Sequence, residues 1–128
     1  MKSRNSHVKK KRDNYLQVLR NEFEGGKGSF LIQIRPSCNW NKASFTRLIT
    51  AMQRCCEKFS HRKTLERWMA NGFWYLSFFV RDWTTHPNFP QVHEPEYYKK
   101  AYQRLDDLAY WFFFGESPYL PGKEFEPL

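Results

Sequence analysis

Apolar residues recur along this chain with a helical period in three places and with a strand-like period in one. Between about Lys42 and Phe59, the residues Phe45, Leu48, Ile49, Met52, Cys55, Cys56 and Phe59 fall on one stripe at about 100° per residue. From about Thr64, the expected cap, to Trp83 the stripe is Leu65, Trp68, Met69, Phe73, Leu76, Phe79, Val80 and Trp83. From about Glu96 to Phe114 it is Tyr98, Ala101, Tyr102, Leu105, Leu108, Ala109 and Phe112. Pro87, Pro90 and Pro95 mark the loop between the last two.

The strand-like period lies earlier. In "SFLIQIRP" the residues Phe30, Ile32 and Ile34 alternate and Pro36 terminates, which predicts a strand at about 29–35. A lone strand needs a partner, either the preceding segment as a hairpin or a second copy of the chain in a homo-oligomer. The preceding segment itself reads as a short helix through Tyr15, Leu16, Leu19 and Phe23, stopped by Gly25–Gly26, or as the other arm of that hairpin. The expected fold is therefore mainly α. Three long helices (about 42–59, 64–83 and 96–114) form a small bundle, with an N-terminal short helix or β-hairpin containing the strand.

Composition adds that this is a folded domain. Of 128 residues, 41% are hydrophobic and 19% aromatic, enough large rings to close one modest core. Residues 1–12, "MKSRNSHVKKKR", have no apolar period and read as a flexible basic arm; residues 13–128 read as a single globular domain. The longest apolar runs, Phe73–Leu76 and Leu108–Phe114, fall far short of the roughly 20 residues that span a bilayer. With no apolar stretch behind Met1 and three cysteines without metal-type spacing, the expectation is a cytoplasmic protein that engages no membrane.

More rings are present than the stripes use. On the second long helix Trp74 and Phe78, four residues apart, project away from the stripe together with Arg67, Asn71 and Arg81. On the third, Trp111 and Phe114 point away beside Lys100, Arg104 and Asp107. These rings either lie under the termini or form an exposed interface built around Arg67, Trp74, Phe78, Arg81 and Trp111.

Charge is uneven. The formal net charge is +8, and the first twelve residues alone carry Lys2, Arg4, Lys9, Lys10, Lys11 and Arg12 without an acid. Residues 13–63 hold nine basic and four acidic side chains, residues 64–128 six and nine. Arg47, Arg54 and Lys58 form a basic stripe on the first long helix, continued by Arg62 and Lys63. An anionic partner touching one side of the molecule is the natural match.

Catalytic and cofactor signatures are absent from the pattern. His86 and His93 with Glu94 and Glu96 match no metal frame, and no metal or cofactor is expected. Cys55 and Cys56 sit on a core stripe, where a thiol is an inert packing group. "GGKG" lacks the spacing of a phosphate loop, and Asp106–Asp107 has no partner acid. The expectation is a non-enzymatic, nucleic-acid-associated accessory protein. In it Lys9, Lys10, Lys11, Arg12, Arg47, Arg54, Lys58, Arg62 and Lys63 contact RNA or DNA phosphates, and spare rings stack bases or dock a larger partner. The alternative is a protein–protein adaptor or inhibitor that docks an acidic protein through the aromatic patch.

Overall fold

Ser29 begins a helix, not a strand. In the computed structural model, which describes residues 14–119 and 126–128, its side chain accepts from the Ile32 N–H as an N-cap. The buried Glu22 carboxylate accepts from the Phe30 N–H at 2.9 Å. Two first-turn donors of Phe30–Ile34 are thus satisfied, and Phe30, Leu31 and Ile34 turn inward together. Ile32, placed on the buried face by alternation, is 42% exposed. The expected strand, and with it the hairpin and the strand-mediated homo-oligomer, has no basis: no strand occurs among the described residues.

The elements in chain order are α1 over residues 14–24, α2 (Phe30–Ile34), α3 (Lys42–Phe59), α4 (Arg67–Thr84) and α5 (Pro95–Phe114). The bundle of three long helices with a short helical N-terminal element is as expected. The start of α4 is later than expected, because Thr64 does not cap it. Glu66 holds the cap position without a side-chain cap bond, and its carboxylate accepts from Trp68 Nε1 at 2.6 Å. α5 begins with Pro95, whose fixed φ suits a first helical position. It ends at Gly115, whose φ of +86° is the left-handed stop that glycine adopts without penalty.

α5 packs against both α3 and α4. Against α4 it runs antiparallel: Phe73 stacks on Phe112 at 4.2 Å, Arg81 meets Asp106, and Thr84 meets Tyr102. Against α3 it runs parallel, with Lys42 over the Tyr97 ring and Cys56 Sγ on the Leu108 carbonyl. The core between them holds Phe45, Leu48, Met52, Cys55, Cys56, Met69, Phe73, Leu76, Val80, Leu105, Leu108 and Phe112, all nearly or fully buried. No helix among the described residues is long and apolar enough to cross a membrane.

α1 reaches this core through Leu19 and Phe23. The Phe23 ring lies edge-on to Phe73 at 5.5 Å and to Trp68 at 6.2 Å, directly over Gly72. A Cβ at position 72 would stand 2.0 Å from Phe23 Cδ2, so only glycine lets α1 seat there. Gly72→Ala is expected to force the ring out and destabilise the domain by about 1–3 kcal/mol, as overpacking does. The loss should appear as a lower urea midpoint; an unchanged midpoint would show that α1 is not held by this contact.

Candidate functional site

Helical spacing and the depth of the core stripe decide which side chains α4 leaves outside. With Met69, Gly72, Phe73, Leu76 and Val80 inward, Arg67, Asn71, Trp74, Phe78 and Arg81 are all exposed. Trp74 is 60% and Phe78 57% exposed, and their rings stack at 5.6 Å with 9° between planes. The described part of the chain does not cover them. Arg81 is less available than its position suggests, since Nη2 donates to Asp106 Oδ2 at 2.7 Å. Beside this pair runs a second ladder on the same helix, Tyr75–Phe79–Trp83, stacked at 5.1 and 5.8 Å. Helical spacing alone could have shown that second ladder, because its members are also four apart.

The basic stripe on α3 divides. Arg47 reaches across to α1 and α2, donating to the Gly28 carbonyl at 2.6 Å and to Glu22 Oε2 at 3.3 Å, while its side chain stays 46% exposed. It ties the N-terminal layer to α3 and so differs from Arg54 and Lys58 in having an acid partner. Arg54 and Lys58 are exposed and form no ion pair with any described residue. Beyond them, in the turn to α4, Arg62 lies over the Phe59 ring at 4.3 Å and Lys63 is exposed. The arm residues Lys9, Lys10, Lys11 and Arg12 lie outside the described residues.

At this corner the end of α5 arrives. Ser60, His61, Arg62, Lys63 and Leu65 from the α3–α4 turn line an open groove of about 420 Å³ with Phe113, Phe114 and Gly115. Phe114 is 72% exposed and stacks on Tyr110 at 4.7 Å with 20° between planes. A stacked ring pair thus stands beside a cluster of cations. Helical spacing puts Phe114 outside and Phe113 at the edge of the α5 stripe but does not single out Tyr110, and it has no means to bring α5 to this turn. The antiparallel packing of α5 on α4, with Phe112 stacked on Phe73, does so. Trp111, by contrast, packs partly buried against the core.

Neither a protein-family model, nor a curated protein, nor a solved structure matches this chain. Its chemistry must be read from its own residues.

The remaining polar groups are engaged in holding the fold. His93 Nε2 meets the Trp40 carbonyl at 2.8 Å, and His86 Nδ1 accepts from the Asn88 N–H. No group of three or more His, Cys, Asp or Glu among the described residues could hold a metal ion. Burial pushes the Cys55 thiol up to about 12 and raises that of Cys56 as well, so neither supplies a thiolate near neutrality. Asp107 accepts from the Tyr119 hydroxyl and Arg104 donates to the Glu126 carbonyl, which brings Tyr119 and Glu126 to α5. Burial and that bond push the Tyr119 hydroxyl up to about 12.

Glu22 is a buried carboxylate, and burial raises its pKa while the Phe30 N–H and Arg47 pull it back only in part. A raised pKa means the ionised form fits the fold less well than it fits the unfolded chain. The stabilising contribution is complete below the ordinary carboxylate value of 4.5 and is lost as pH rises through the folded-state pKa. Glu22→Gln keeps an acceptor for Phe30 and cannot ionise. The stability of the native protein relative to this variant should therefore fall as pH rises from the acid side to neutrality, read from urea midpoints. A difference that grows with pH would place the carboxylate's preference on the other side, and one that stays constant would show that folding does not shift it.

Proposed function

We propose that the protein binds single-stranded nucleic acid at the α3–α4 corner, as a non-enzymatic accessory protein. The observation that carries this reading is that Phe114, the more exposed ring of the Tyr110–Phe114 stack, shares one open groove with His61, Arg62 and Lys63. Bases have a π-face whatever their identity, so a ring pair within reach of cations gives affinity with little sequence preference. Arg54, Lys58, Arg62 and Lys63 supply the phosphate contacts, and the arm Lys9–Arg12 adds charge to the same protein. Arg47 drops out of the contact set because it is committed to Glu22 and Gly28. An acidic protein would find the cations equally attractive but would leave the stacked rings without their natural counterpart.

The test is anisotropy of a labelled single-stranded oligonucleotide titrated at several salt concentrations. Affinity should fall steeply with salt, with a log–log slope of about −0.7 for each phosphate neutralised on a single strand. Phe114→Ala should cost about 1–3 kcal/mol, the value of one lost base stack. Replacing Arg54, Lys58 and Lys63 together by Gln should flatten the slope by about 2. Binding that ignores both sets of substitutions would sink the assignment, and so would affinity that does not respond to salt.

A further inference from the structure

The outer face of α4 carries a pattern that the nucleic-acid reading does not use. Arg67, Asn71, Trp74, Phe78, Arg81 and Thr85 follow one another at spacings of 4, 3, 4, 3 and 4, and all six are exposed. That is the register of a coiled-coil seam, in which one edge of a helix faces another along its length. Its apolar centre is the pre-stacked Trp74–Phe78 pair, and its ends are polar.

The seam is also self-complementary. When two copies of α4 lie antiparallel about a twofold axis midway between positions 74 and 78, Trp74 faces Phe78 of the second copy, and Phe78 faces its Trp74. Asn71 then faces Arg81, and Arg67 faces Thr85. No like charges oppose each other along the seam. The surroundings point the same way: Arg67 and Arg81 are accompanied by Glu66, Asp82 and Asp106, and Arg81 already pairs with Asp106. This face is close to neutral, unlike the α3–α4 corner, so nothing on it selects for an acidic partner. The geometry points to a second copy of this chain as its occupant, in an isologous dimer built on α4.

The dimer is weak and reversible. A standard interface buries about 800 Å² on each partner, and two rings of which about half is already covered supply only part of that. An open groove beside them, lined by Phe23, Trp68, Asn71, Gly72, Trp74 and Tyr75, extends the contact on one flank. Two chains of formal charge +8 repel each other at long range, so added salt should tighten the dimer. Salt acts in the opposite direction on nucleic-acid binding, which keeps the two surfaces experimentally separate.

Sedimentation velocity across a dilution series tests the proposal. A monomer–dimer equilibrium is expected, strengthened by salt and weakened at least tenfold by Trp74→Ala, since each such substitution removes two contacts across the twofold axis. Asn71 provides a control that leaves the rings in place. At low salt Asn71→Asp should tighten the dimer several-fold by facing Arg81 of the second copy, and Asn71→Arg should loosen it by a similar factor. Position 71 is exposed, so both variants should keep the native helical circular dichroism. A protein that stays monomeric at every concentration and salt overturns the proposal and leaves the face to another partner. Self-association indifferent to Asn71 and Trp74 overturns it as well, and places the contact elsewhere.

Discussion

Trp40 is the residue on which the arrangement turns. It belongs to no helix, yet it is 2% exposed, and its ring meets Phe30 of α2, Phe45 of α3 and Tyr97, Tyr98 and Tyr102 of α5. Its indole N–H donates to the Tyr97 hydroxyl at 3.0 Å, and its carbonyl meets His93 at 2.8 Å. A buried indole is favourable only when its N–H is satisfied, and here that bond also fixes where α5 begins. Two residues earlier Cys38 adopts a φ of +49°, a conformation uncommon for a side-chain-bearing residue, as the chain turns from α2 towards Trp40. One residue later Asn41 caps α3. A single loop tryptophan thus sets the relation of three helices.

The division between what could and could not be read follows from that. The three long helices were legible because each carries its own evidence, a stripe repeated over four or five turns that survives an error at one position. Phe30–Ile34 carries too little. Over five residues an alternating and a helical pattern share most of their apolar positions, and the decision rests with groups elsewhere. Glu22, eight residues upstream, accepts the Phe30 N–H, and Arg47, on another helix, holds that carboxylate. No local window contains this arrangement. For the same reason spacing groups Arg47 with Arg54 in one basic stripe, and only the tertiary position of α1 gives Arg47 an acid partner.

The candidate surfaces show the same limit from the other side. Trp74 and Phe78 were identifiable as surplus because one helix supplies both the core stripe and the residues left over. The corner groove was not, because its rings come from the end of α5 and its cations from the α3–α4 turn. Phe73 against Phe112 is what brings those ends to the same side of the bundle. Gly115 then ends α5 directly after Phe114, at the groove beside the α3–α4 turn.

Net charge alone would have assigned one role to the whole molecule. Its pairing state divides the surface instead. Near α1 and α2 a cation is paired with a buried carboxylate; on the outer face of α4 basic and acidic groups nearly balance; Arg54 and Lys58 on α3 and Lys63 in the α3–α4 turn have no acid paired to them among the described residues. Electrostatic attraction for a polyanion depends on that last, uncompensated set, and stacking affinity depends on rings within its reach. A near-neutral apolar seam has neither long-range attraction nor strong repulsion of its own, so its association is governed by shape and register. The two surfaces would therefore suit different partners for physical reasons.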